Sequence, residues 1–170
     1  ELNHSGLSQA RNEEKRVPMK TLVLEKKALK HNIAVVREKA GPATIYGVLT
    51  GDGGGAGTVE LAQLLREEGI GRFAVSGLAR APALRKAGLV DEEILMLRST
   101  TDREELDRLI DLDVVCTISS VDTALALDAA AKERSTVAEA HIQVDTGLGF
   151  GGFLAEEPDK IVQVYRNLTN

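Results

Sequence analysis

At 170 residues with 43% hydrophobic content, the chain holds enough apolar material for one ordinary core and is too short for two full domains. Its net charge of -5, with acidic and basic residues interspersed, leaves no basic stripe for a phosphate backbone, so no nucleic-acid partner is expected. One cysteine, Cys116, excludes a disulfide framework and a cysteine-based zinc cluster, and no apolar run reaches the roughly 18 residues needed to span a bilayer.

Residues 1–19 read as a polar tail. The first 17, ELNHSGLSQARNEEKRV, lack the apolar centre of a secretory signal, so the expected localisation is cytoplasmic. The start at Glu1 points to an engineered or processed chain. Residues 20–170 read as one domain. TLVLE (21–25) has the pattern of a short strand, and 27–39 that of a helix with Leu29, Ile33 and Val36 on one side. Five β-like runs then alternate with helical ones: IYGVLT (45–50), RFAVS (72–76), EILML (93–97), VVCTI (114–118) and AEAHIQV (138–144). Their starts lie 21 to 27 residues apart, room for a strand, a loop and a helix, which is the rhythm of a parallel sheet built from βαβ units.

The helices between them carry end signals. Leu61, Leu64 and Leu65 precede Gly69, and Leu84 and Ala87 precede Gly88, each glycine placed to end a helix. Asp102 with Glu105 opens a helix striped by Leu106, Leu109 and Ile110. Ser120 stands before VDTALALDAAAKER, and Pro158 suits the first turn of a last helix whose expected buried face is Ile161, Val162, Tyr165 and Leu168. The fold class is α/β, with about five βα units of a partial (β/α)8 barrel. A complete barrel needs eight strands and about 250 residues, so the sheet must stay curved but open, flatten, or complete its edges by self-association.

Two segments carry a family resemblance. IYGVLTGDGGGAG (45–57) runs a short strand into a glycine-rich loop and is similar to the pattern V-V-K-A-N-A-Y-G-H-G; AHIQVDTGLGFGGF (140–153) is similar to H-x-K-I-D-T-G-M-G-R-x-G-F. On these the chain resembles the pyridoxal-phosphate-dependent alanine racemases of fold type III, in the N-terminal part of their barrel domain. The resemblance implies a lysine that holds pyridoxal phosphate as a Schiff base, and that place is Thr50. It implies a phosphate-contacting tyrosine, which falls on Gly54, and a histidine, which falls on Ala56. In the second segment the family's lysine position is Gln143 and its arginine position, beside the cofactor ring, is Phe150. The frame residues Asp145, Thr146, Gly147, Gly149, Gly152 and Phe153 match, and are read as shaping a strand end and turn. Further phosphate-binding loops and an opposite-face tyrosine would come, in the family, from segments beyond these 170 residues.

The expectation is therefore a non-catalytic, racemase-derived partial barrel, engineered or degenerate, with pyridoxal phosphate entering only through the family. The alternatives are a fragment that binds the cofactor non-covalently or complements a second polypeptide, and a small-anion module whose backbone amides at Gly53, Gly54, Gly55 and Gly57 hold a phosphate or sulfate at a helix start. Gly51, Gly53 and Ala56 nominally fit a dinucleotide loop, but VSGLAR (75–80) lacks the acidic residue that reading needs. His4, His31 and His141 are too scattered for a metal cluster, Cys116 reads as a buried thiol, and the Asn167 sequon as a chance match. Thr50, Asp52, Asp145 and Thr146 are expected to meet at the mouth of adjacent strands, without an activated nucleophile beside them.

Overall fold

The computed structural model describes residues 22–168. The polar tail 1–19 lies outside the described residues. The chain opens with α1 (Lys26–Ala40), then β1 (Gly47–Val48), a short segment α2 (Thr50–Gly54), α3 (Thr58–Glu67), β2 (Arg72–Val75), a 3-10 turn (Leu78–Arg80), α4 (Ala81–Lys86) and β3 (Glu93–Met96). There follow α5 (Arg103–Asp111), β4 (Val114–Ile118), α6 (Val121–Glu133), β5 (Ala140–Ile142), β6 (Val144–Asp145), β7 (Phe153–Leu154) and α7 (Pro158–Asn167). Strands β1 to β5 form one parallel sheet in sequential order, and β6 pairs with β7 beside it. Helices α3 to α6 connect consecutive parallel strands and pack with them into one core.

The helix-facing side of the sheet is the core. Phe73, Val75, Ile94, Met96, Val114, Cys116 and Ile118 alternate along β2, β3 and β4 and pack against Ala62, Leu84, Leu106, Leu109 and Leu127 of the helices. A Cβ at Gly47 would stand 2.8 Å from the Leu65 side chain, so the missing side chain lets α3 close over β1. Burial pushes the Cys116 thiol up to about 11, in keeping with an inert core sulfur. The end signals act locally: Asp102 accepts the Glu105 N–H, Ser120 and Thr123 form a reciprocal capping box, and Gly69 and Gly88 follow their helices at φ of 79° and 90°.

The other side of the sheet is concave. Pairing carried from strand to strand places His141 opposite Thr117, Thr117 in line with Leu97, Leu97 with Ser76, and Ser76 with Thr50. Yet the His141 ring meets the ring of Tyr46, at 6.3 Å between centres and 75° edge-on. Tyr46 lies four residues before Thr50, and four strand steps separate β1 from β5, so the sheet staggers by one residue per step. Eight strands with a shear of 8 have the same ratio. The sheet is thus a curved sector of barrel whose edges, β1 and β5, do not close on each other.

Three sequence expectations are corrected. Residues 22–25 of the expected strand 21–25 are not in a sheet: Leu22 and Val23 are exposed, and an extended segment without a neighbouring ladder has nothing to pair its backbone. The run 45–50 keeps only two ladder residues because the chain leaves extended geometry after Leu49. In α7 the buried face is Ile161, Val164 and Leu168, whereas Val162 and Tyr165 point to solvent, Tyr165 being 71% exposed.

Candidate active-site face

Barrel enzymes place their chemistry where strands end, and Thr50 stands there after β1. Strand alternation puts Tyr46 and Val48 on the concave side; the chain leaves extended geometry after Leu49, whose N–H still donates to Ala74 O at 2.8 Å. Thr50 is half-buried and carries a hydroxyl where an imine needs an amine.

The next residues wind the opposite way from an ordinary helix. Gly51, Asp52 and Gly53 have φ/ψ of 60°/38°, 56°/47° and 65°/33°, one turn of left-handed helix. Such geometry costs L-residues about 1–2 kcal/mol each, so only a run like GDGGG makes it cheap. Its single side chain anchors it. Asp52 Oδ1 accepts from Thr58 N at 3.3 Å and Thr58 Oγ1 at 3.0 Å, capping α3, and lies 3.4 Å from Arg80 Nη2. The amides expected to face an anion turn inward: Gly53 N donates to Leu49 O, Gly55 N to Gly51 O, Ala56 N to Gly53 O and Gly57 N to Asp52 O. Gly54, the tyrosine position, opens onto empty space, and Ala56 faces a shallow concavity with Asp52, Arg80, Leu22 and Leu24.

The second motif is tied together through Gln143. Its N–H donates to Ile118 O at 2.8 Å, its carbonyl accepts from Phe153 N at 2.9 Å, and its side-chain Nε2 donates to Phe150 O at 3.4 Å. A Cβ at Gly152, where φ is 109°, would stand 2.7 Å from Gln143 O, so the close return of the chain requires glycine. Asp145 Oδ1 accepts from Gly147 N at 2.9 Å and Gly149 N at 3.1 Å. Those backbone donors, Gly147 first, hold its carboxyl below the usual carboxylate range. Phe150, at the arginine position, is 84% exposed.

Gln143 and Phe150 are brought together with Leu95, Leu97, Thr117 and His141 around one concavity of about 510 Å³. The first-motif residues are not. Three strands stand between β1 and β5, so Thr50 and Asp52 do not share an adjacent-strand mouth with Asp145 and Thr146. Sequential order puts the two motifs at opposite edges of the sheet, so the strands they follow are not neighbours as expected.

A polar cluster escaped the sequence reading. On the concave side the Tyr46 hydroxyl donates to Glu93 Oε1, Arg72 Nε lies 3.1 Å from Glu93 Oε2, and the Arg72 guanidinium sits 5.8 Å from the Tyr46 ring centre. Burial, then the Glu93 carboxylate, raise the Tyr46 phenol above its ordinary value. The signal was there in parity: Tyr46, Arg72 and Glu93 each precede by two residues an inward position of β1, β2 and β3.

The residues present do not fit pyridoxal phosphate held as a Schiff base. Among the described residues the lysines are 26, 27, 30, 39, 86, 132 and 160, all exposed on α1, α4, α6 and α7, and none at a strand end. No group of three or more His, Cys, Asp or Glu among the described residues is placed to hold a metal ion, and no helix among them is long and apolar enough to cross a membrane.

The comparisons with known proteins agree with the fold. A family model described as alanine racemase, N-terminal domain, matches residues 24–170. An alanine racemase of Desulforamulus reducens is 34% identical over 131 residues, covering 76% of this chain and 35% of the relative. Alanine racemase 1 of Clostridium acetobutylicum is 32% identical over 136 residues, covering 80% and 34%. Among solved structures, an alanine racemase of Clostridium difficile 630 in complex with cycloserine superposes with a TM-score of 0.76 at 28% identity, over 84% of this chain and 39% of that one. The alanine racemase of E. faecalis gives 0.71 at 30% identity, over 84% and 38%. The chain spans about a third of the length of the curated relatives it matches.

Proposed function

This chain belongs to the alanine racemase N-terminal domain family, and from that premise we propose that it is a non-catalytic sector of the racemase barrel, engineered or degenerate, that does not hold pyridoxal phosphate covalently. The observation that carries the reading is Thr50. It occupies the strand end where the resemblance implies the Schiff-base lysine, and no described lysine stands at another strand end to replace it. Gly54, Ala56, Gln143 and Phe150 extend the pattern, since each lacks the polar or charged tip implied there. When bound, the cofactor serves as an electron sink for the carbanion formed at the amino acid's α-carbon. Among the described residues no lysine stands at a strand end to offer the amine that would anchor it. Incubated with L-alanine and pyridoxal phosphate, the chain is expected to form D-alanine no faster than the cofactor alone; chain-dependent racemisation would overturn the reading.

A second reading, in which the chain works as one piece of a larger assembly, draws support from its open edges. Val48 of the edge strand β1 is 54% exposed and Leu97 on the concave side 42% exposed, apolar surface that a second copy or a strand-bearing partner would cover. Sedimentation at micromolar concentration is expected to report a species larger than one chain, in a cytoplasmic setting; a clean monomer counts against it. The small-anion module has less support, because the amides of Gly53, Gly55 and Gly57 already donate to carbonyls and Asp52 places its own carboxylate at the start of α3. A melting temperature unmoved by millimolar phosphate would remove it.

A further inference from the structure

The geometry points to a conformational device inside the concave face: we infer that the contact between Tyr46 and His141 holds this five-stranded sheet in barrel curvature without the strands that would close it. The two residues belong to the opposite edges of the sheet, with β2, β3 and β4 between them. On a flat sheet with strands about 4.8 Å apart, side chains four strand steps away stand about 19 Å apart and do not touch. Their rings meet at 6.3 Å. The contact is also staggered by the one residue per strand that an eight-stranded barrel demands, so it reports the curvature and tilt of such a barrel rather than an arbitrary fold of the sheet.

The Tyr46 ring is fixed from both ends, which is what makes it a strut. Its hydroxyl donates to Glu93 Oε1 on β3, Arg72 of β2 pairs with the same carboxylate, and the Arg72 guanidinium lies 5.8 Å from the ring centre. Edge strand, second strand and third strand thus converge on one ring, and that ring presents its surface to the fifth. An edge-on aromatic pair adds about 0.5–1.5 kcal/mol beyond area burial, a modest term that acts across the whole width of the sheet. This device is independent of whether the chain binds a cofactor.

Two readouts on the chain test it. In the wild type, ring protons of Tyr46 and His141 are expected to give a nuclear Overhauser cross-peak. Spin labels on cysteines placed at Ala43 and Val137, exposed positions ahead of β1 and β5, read the edge-to-edge distance, while the buried Cys116 stays unlabelled. In a Tyr46→Ala/His141→Ala variant that distance is expected to lengthen by about one strand spacing, ~5 Å. A folded double variant with an unchanged distance overturns the inference. Should that variant fail to fold, the wild-type cross-peak decides: its presence supports the strut and its absence refutes it.

Discussion

The two faces of the sheet are built to different ends. On the helix-facing side, Phe73, Ile94 and Met96 are wholly buried, each locked among side chains from at least one crossing helix. On the concave side Leu97 and Val48 are about half exposed, and side chains meet across the strands through the polar contacts of Tyr46, Arg72 and Glu93 and the ring contact of Tyr46 with His141. The first face is complete within these residues. The second has the curvature of a barrel interior and is covered only in part, with Ala74, Val115 and Thr117 buried. The difference teaches that the βα units can assemble by packing helices on the outside, while the inside keeps its shape through a few contacts across the sheet.

Substitutions that respect this division should separate widely in effect. Ile94→Ala removes a fully buried side chain from the complete face and is expected to cost about 2–5 kcal/mol in denaturant unfolding; a loss below that range would mean the outer core is looser than its burial implies. Gly152→Ala places a Cβ against Gln143 O at a positive φ, and should cost about 1 kcal/mol or more while disturbing the second motif. Leu97→Ser on the concave side should change stability by no more than about 0.5 kcal/mol. A large loss there would show that the concave face is covered in solution, and would favour the assembled reading.

The smallest effect is one of pH. Asp145 has a folded carboxyl held below its ordinary value of 3.8 by the Gly147 and Gly149 amides. The unfolded state therefore binds its proton first as pH falls. The stabilisation from this group is complete above the ordinary value and is lost as pH drops through the lowered one. Asp145→Asn should remove that part of the acid sensitivity and leave the slope near neutral pH unchanged, as followed by melting temperature against pH. An unaltered acid limb would mean that the turn is not held by the carboxylate.

Most of the sheet was legible because buried parallel strands announce themselves: RFAV, EILM and VVCTI lie where their apolar runs predict, and the capping residues Asp102, Ser120 and Pro158 mark helix starts correctly. The misses share a physical cause. TLVLE has strand composition, yet whether it pairs depends on a neighbour that no local pattern reveals. The exposure of Tyr165 depends on which side of α7 meets α6, a tertiary choice. For the candidate site, the two motifs were plain, but GDGGG as a left-handed turn was not, since glycine permits either hand and only the Asp52 contacts to Thr58 select one. The contact of Tyr46 with His141 spans 95 positions of sequence, and no local pattern reveals it because it depends on how the sheet curves.

The central claim is that Thr50 leaves the family's strand-end site without an anchor. Stoichiometric pyridoxal phosphate followed by borohydride reduction, intact mass and peptide mapping tests it most directly. The account predicts at most scattered, unsaturating adducts on the exposed helical lysines. A single site that saturates at one phosphopyridoxyl group per chain would contradict it.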